Sequence, residues 1–331
     1  MSVVPNQDSS KRILLSVVVP AYDEQDVLTE FNQRLTLVLD ALAVDYEIIY
    51  VNDGSSDSTV DVIESLHNNN QHIALLDLSR NFGKEAALTA GLDHAQGDAV
   101  IVIDADLQDP PEIIPQLFNK WQEGHDVVYA QRSTRKGETW VKRFTAFLFY
   151  RLMGQLGYIE IPPDTGDFRL MSRRSLEAVN ELRESHRFMK GLFAWVGFDQ
   201  VAVRYDRDPR YAGKSKWSYW RLWNFALEGL TSFTTAPLKL ATYLGFVTAI
   251  IAFVYGVWVV MKAFLYGDPV AGYPSLMAVV LFLGAVQLMT LGTIGEYLAR
   301  TSDEAKRRPL YFVKNYVASS GLLQRAEKDK P

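Results

Sequence analysis

The apolar run Ala99-Val100-Ile101-Val102-Ile103 stops abruptly at Asp104-Ala105-Asp106. Its β-branched core reads as a strand buried on both faces, and such strands belong to parallel sheets covered by helices on each side. Two carboxylates one residue apart at the carboxyl end of that strand stand where open α/β sheets bind ligands. A small number of hard oxygen donors suits Mg²⁺ or Mn²⁺, which in turn holds phosphates. The run therefore predicts a site for a nucleotide diphosphate.

The rest of the N-terminal half agrees with that sheet. Apolar runs at Leu14–Val19, Tyr46–Val51, Ile73–Leu78 and Asp126–Ala130 predict four more strands. Between them, Asp26–Leu42, Ser58–Asn68, Lys84–His94 and Pro111–Glu123 carry helical spacing. Ala86, Ala87, Ala90 and Gly91 make the third helix small enough for close packing. Strict β-α alternation implies a mainly parallel sheet, an α/β fold.

Three acidic clusters follow strands: Tyr22-Asp23-Glu24, Asp53-Gly54-Ser55-Ser56-Asp57 and Asp104-Ala105-Asp106-Leu107-Gln108-Asp109. Parallel strands end on one rim, so the three clusters converge there. Each alone is only a turn or a surface charge; the three together in strand-end positions predict one site.

The C-terminal third differs. Leu240–Met261 is 22 residues without a charge, and Pro269–Gly295 is 27. Both exceed the roughly 20 residues that span a bilayer core. Lys239 precedes the first; Arg300, Lys306, Arg307 and Arg308 follow the second. The positive-inside rule then places the catalytic part and both termini in the cytoplasm, on a multi-pass protein of the inner membrane. Aromatic segments with basic residues, Glu138–Tyr158 and Trp217–Phe233, read as interfacial helices or, for the first, as a core-packing helix. Arg308–Val313 reads as a short strand that adds to a sheet edge of its own chain or of a neighbour. The expected units are a disordered lead-in over 1–12, a catalytic domain over 13–210, a juxtamembrane segment over 211–235, two spans over 236–298 and a tail over 299–331.

A net charge of −5 argues against nucleic acid as a partner, and the absence of cysteine excludes disulfides and thiolate metal sites.

The stretches VVVPAYDE, VNDGSSDST, LSRNFGKEAAL and VIDADLQDPPE resemble family-2 glycosyltransferases with the GT-A fold. GDFRLMSRR at Gly166–Arg174 and RYAGKSKWS at Arg210–Ser218 narrow the resemblance to polyprenyl-phosphate glycosyltransferases. That group includes dolichyl-phosphate mannose synthases and bacterial undecaprenyl-phosphate glucosyltransferases of the O-antigen glucosylation type. A Gln-x-x-Arg-Trp motif is not found in the chain, which speaks against a processive polysaccharide synthase.

The resemblance implies roles residue by residue. Pro20, Tyr22, Glu24, Asp53, Lys84, Asp104 and Ala105 bind the nucleotide; Asp104 and Asp106 hold Mg²⁺ or Mn²⁺; Gln108 touches the sugar. Asp106, Asp167 and Arg169 form the catalytic group. Asp167 matches a catalytic base, yet a phosphate monoester with a second pKa of about 6 hardly needs one, so a positioning role is the alternative. Arg132, Arg210 and Lys216 are the cations for the acceptor phosphate, arginine being suited to bidentate contact. The implied partners are a nucleotide sugar, UDP-glucose before GDP-mannose, a polyprenyl phosphate, the membrane, and further copies of the chain in a homo-oligomer of tetramer size.

Overall fold

The computed structural model describes residues 12–133, 162, 165–206, 236–266 and 272–319. The sequence-predicted interfacial helices, and Arg210 and Lys216, lie outside them. Five strands and four helices alternate as the sequence predicts: β1 (Leu14–Ala21), α1 (Leu28–Ala41), β2 (Asp45–Asn52), α2 (Thr59–Asn69), β3 (Ile73–Leu78), α3 (Lys84–His94), β4 (Ala99–Val102), α4 (Ile114–Gln122) and β5 (Val127–Arg132). Three further strands, β6 (Thr165–Ser172), β7 (Gln200–Tyr205) and β8 (Val313–Val317), complete one sheet in the order β7-β5-β6-β4-β1-β2-β3-β8. Ladders β1–β2, β1–β4, β2–β3 and β5–β7 are parallel. Those that β6 makes with β4 and β5, and β8 with β3, are antiparallel.

Strands β1 to β4 are mostly apolar on both faces because both faces are covered, with Ser16, Glu47, Asn52 and Asp77 the buried polar exceptions. Phe31, Leu35 and Leu39 of α1, Ile63 of α2 and Leu117 of α4 pack on one side. Ala87, Leu88 and Ala90 of α3, Leu176 of α5 (Arg173–Glu181) and Leu192 and Phe193 of α6 (Met189–Trp195) cover the other. Helix α3 lies so close that a Cβ on Gly91 would stand 2.3 Å from Val18 Cγ1. That approach fixes the first turn of α3, and Lys84 with it, at the carboxyl rim of the sheet.

Two long helices, α7 (Ala236–Tyr266) and α8 (Tyr273–Lys306), follow and pack against each other. Ala241–Trp258, with mean hydropathy 1.7, is long and apolar enough to cross a membrane. It leaves Phe253 73% exposed, although apolar side chains of a soluble protein's long helix are ordinarily covered. The tail strand begins later than the sequence predicts, at Val313 rather than Arg308, and pairs with β3 of its own chain.

Candidate active site

The site forms at the carboxyl rim of β1, β2, β3 and β4, closed on one side by the amino end of β6. Register sets its centre. Val102 pairs with Arg169 across the antiparallel β4–β6 ladder, and continuing that register two residues outward brings Asp104 against Asp167. Like charges so placed repel, and the sequence supplies the remedy from α3: the Lys84 ammonium donates to the Asp104 carboxylate at 2.7 Å and to Asp167 Oδ2 at 2.5 Å.

This pairing governs the ionisation of the trio. Burial alone would lower the Lys84 pKa, but Asp104 and Asp167 raise it well above its ordinary value. Burial pushes the Asp104 carboxyl up; Lys84 opposes this, while Asp167 and Asp109 add to it. For Asp167 burial acts upward too, but Lys84, Lys190 and Arg169 together hold its carboxyl well below the usual carboxylate range. Asp167 is a charged acceptor at neutral pH, and its Oδ1 is buried without a hydrogen-bond partner among the described residues.

Asp53 directly follows β2 and is 3% exposed. Its Oδ1 accepts from the Phe82 N–H at 2.7 Å and its Oδ2 from the Gly83 N–H at 3.0 Å. The carboxylate thus ties the β2 loop to the turn that leads into Lys84. Each of its oxygens keeps a second lone pair, so acceptance from a ligand remains open to it. Neighbouring Asn52 donates to Asp77 Oδ1 at 2.7 Å, and the loop after β1 is held when Ser56 N–H donates to Asp23 Oδ1 at 2.8 Å. Pro20 lies within β1, and Tyr22 and Glu24 follow it directly; Tyr22 is 36% exposed at the rim. Pro20 pairs with Val51 in the β1–β2 ladder, and the Asp53 N–H donates to Ala21 O at 2.9 Å, next to Tyr22.

Beyond β4, Ala105 is buried, and Leu107 turns the chain with φ +58°. Gln108 N–H donates to Asp106 Oδ1 at 3.1 Å, an Asx turn. Asp104 and Asp106 present two carboxylates, and among the described residues no group of three His, Cys, Asp or Glu forms a metal cluster. Such a pair fits a hard divalent cation that takes its other ligands from water and phosphate.

The basic residues divide by how far they are committed. Arg132, at the end of β5, stands 3.6 Å from Asp109 Oδ1 and donates to the Tyr205 hydroxyl at 3.3 Å; Tyr205 itself donates to Asp109. Arg169 is 4% exposed, donates to Gly166 O at 3.0 Å and Asp167 O at 3.3 Å, and lies 3.9 Å over the Phe193 ring. Burial lowers its pKa to about 10. Its donors go to the backbone of β6 on either side of Asp167.

Two neighbours escape the sequence reading. Glu85, the residue after Lys84, accepts from the Met189 N–H at 3.2 Å. Lys190 follows Met189 and lines a small cavity with Tyr129, Thr165 and Arg169. The available signal was a lone lysine inside the apolar run from Phe188 to Trp195.

Comparison with known proteins gives the family. The family model described as Glycosyl transferase family 2 matches residues 16–179, and the GtrB C-terminal hairpin matches 236–301. An uncharacterized glycosyltransferase of Synechocystis sp. is 54% identical over 301 residues, 91% of this chain and 95% of that protein. The bactoprenol glucosyl transferase of Shigella phage SfV is 47% identical, over 91% of this chain and 98% of its own length. Among solved structures, glucosyl-3-phosphoglycerate synthase from Mycobacterium tuberculosis, with Mn²⁺, UDP-glucose and glycerol 3-phosphate, aligns at TM-score 0.46 and 21% identity. It covers 65% of this chain and 76% of that one.

Proposed function

The chain belongs to glycosyl transferase family 2, and from that premise we propose that this glycosyltransferase moves a hexose, glucose from UDP-glucose, onto a polyprenyl phosphate at the cytoplasmic face of a membrane. The observation that carries the reading is the meeting of Asp53, Lys84, Asp104 and Asp167 on one rim. Similarity to bactoprenol glucosyl transferases over nine-tenths of the chain supports the lipid acceptor and the sugar.

Pro20, Tyr22, Glu24 and Asp53 would hold the nucleoside. Asp104 and Asp106 would hold Mg²⁺ or Mn²⁺, whose chemistry is to neutralise charge on the departing diphosphate. Lys84 keeps Asp104 and Asp167 from repelling before substrates arrive. The acceptor phosphate, already an anion, attacks the anomeric carbon from the face opposite the nucleotide, breaking the bond to the diphosphate. The configuration inverts, an α-linked donor giving a β-linked lipid phosphosugar. Asp167, held charged by its cations, would orient acceptor and sugar. Arg132 would contact the acceptor phosphate, with Arg210 and Lys216 as further contributors, and Gln108 the sugar.

Both long helices would cross the membrane and keep the site at headgroup level, where a lipid substrate is already concentrated. The match of the hairpin region and the basic residues after α8 support that placement. Two spans bury little surface on their own, so the reading includes a homo-oligomer.

The test is direct. Full-length protein in detergent is given undecaprenyl phosphate and a divalent cation, with UDP-glucose and GDP-mannose in separate reactions, and the lipid product is followed by mass. A hexosyl phospholipid from UDP-glucose, lost with chelator and in Asp106→Ala, supports the reading. Product from GDP-mannose alone replaces the donor with the second choice; no lipid product from either donor overturns the acceptor.

A further inference from the structure

Three basic side chains, Lys84, Lys190 and Arg169, act on Asp167, and Arg132 lies beside Gly166; all but Lys190 are already engaged. Lys84 is shared between Asp104 and Asp167. Arg169 gives its donors to the backbone oxygens of Gly166 and Asp167. Arg132 is turned toward Asp109 and Tyr205. Lys190 makes no hydrogen bond and no ion pair among the described residues, although it sits in a half-buried position.

Its place follows from strand geometry. Side chains on a strand alternate, so Thr165, Asp167 and Arg169 share one face of β6. Lys190 lines a cavity with Thr165 and Arg169, the residues on either side of Asp167 on that face. Helix α6 is held there by the Met189 N–H to Glu85 Oε2 bond at 3.2 Å and by Phe193 beneath the Arg169 guanidinium. The groups facing the ammonium are Asp167, Lys84, Arg132 and Glu85; burial lowers its pKa, and Asp167 opposes that change. Lys190 faces the Asp167 charge without a hydrogen bond or ion pair among the described residues, so its ammonium keeps its donors for a ligand.

We propose that Lys190 is a phosphate-binding residue of the site, meeting the acceptor's phosphate on the Asp167 side while the donor's diphosphate lies on the Asp104 side. This inference rests on the glycosyl-transfer reading above and adds to it a further residue that recognises the acceptor. Phosphate binding by a lysine needs only a point charge, so arginine can substitute for it where space allows.

The experiment separates the two phosphates. Lys190→Met and Lys190→Arg are made in the full-length protein, and binding of undecaprenyl phosphate and of UDP-glucose is measured by titration calorimetry, with KM for each under turnover. Lys190→Met is expected to weaken acceptor binding and raise its KM by about tenfold, as loss of a charge-assisted contact does. Donor KM and thermal midpoint stay near wild type, and Lys190→Arg recovers most of the loss. Weakened donor binding alone places the cation on the diphosphate and overturns the proposal. So do unchanged acceptor binding, a fall in thermal midpoint that arginine does not restore, and wild-type protein that fails to bind undecaprenyl phosphate. Wild type that binds the lipid but transfers no sugar defeats the glucosyl reading while leaving the Lys190 result to stand on binding.

Discussion

Lys84 donates to Asp167 across 2.5 Å, and the same ammonium lies 2.7 Å from Asp104. One cation from the first turn of α3 thus joins the two carboxylates that the β4–β6 register sets face to face. A carboxylate stabilised in this way is a weak base. Asp167→Asn is therefore expected to lower kcat by less than about a hundredfold, short of the usual contribution of a general base. The pH profile of kcat/KM should keep its shape near neutrality, because the wild-type group titrates well below that range. A larger loss together with a missing ionisation in the profile would restore the base assignment.

Removing the cation is the complementary case. Lys84→Met leaves the buried Asp167 and its neighbour Asp104 uncompensated. Because the lysine side chain is 40% exposed, solvent screens part of the loss. A destabilisation of about 1–2 kcal/mol is expected, accompanied by a fall in turnover of at least about tenfold. Chemical denaturation and initial rates check the two separately, and unchanged rates would show that the bridge serves folding alone.

The clasp on Asp53 depends on one backbone position. Gly54 has φ +64°, and a Cβ there would stand 2.4 Å from Arg80 C and 2.5 Å from Asn81 N. Those atoms belong to the loop whose next two N–H groups clasp Asp53. Gly54→Ala must displace that loop, at a cost of about 2 kcal/mol or more. The measurable result is a lower denaturation midpoint together with weaker nucleotide binding; wild-type affinity would show that the clasp is not part of the donor pocket.

What could be read from the sequence follows burial. Strands β1 to β4 are mostly apolar runs because helices cover both faces, and such runs announce themselves. Strand β6 does not. Its Thr165, Asp167 and Arg169 face the site, so the polar residues that give the site its chemistry mask the strand that carries them. The insertion of β6 between β4 and β5 is also a long-range pairing that no local pattern encodes. The acidic clusters at Asp53 and Asp104 were legible because turn chemistry and strand ends mark them. Lys190 was not, since one lysine in a seven-residue helix has no periodicity to betray it. The fate of Arg169 was equally hidden: its sequence position gives no sign that Gly166 O and Asp167 O would take its donors.

Glu85 brings a pH dependence. Burial, with Asp167 adding to it, pushes its carboxyl from 4.5 up to about 7. The folded protein thus binds a proton that the unfolded chain has released between those values. The contribution of Glu85 to stability is full below the unfolded pKa and is lost as pH rises through the folded one. Glu85→Gln cannot release that proton, so its stability relative to wild type should increase between about pH 4.5 and about pH 7. Denaturant midpoints of both proteins across this window provide the check, and parallel curves would remove Glu85 as their cause.

The tail links α8 to the β2–β3 side of the sheet. After α8, whose Glu304 accepts from the Ser185 N–H at 2.6 Å, Phe312 O accepts from Ser79 N–H at 2.9 Å. The Phe312 ring lies 6.3 Å from that of Phe82, the residue whose N–H meets Asp53. Lys314 donates to Asp77 at 2.9 Å, and Asp77 accepts from Asn52, next to Asp53. Ending the chain before Pro309 takes away this support and opens the β3 edge. Donor KM is expected to rise several-fold, with acceptor KM little changed, because the lost contacts all lie on the β2–β3 side. Lys314→Met alone should act more gently, since its side chain is largely exposed and solvent screens the pair. Kinetics of both proteins with each substrate varied in turn distinguish the cases. Equal losses for donor and acceptor would mean that the strand merely holds the sheet together, whereas a selective donor effect would make the tail a structural part of the nucleotide pocket.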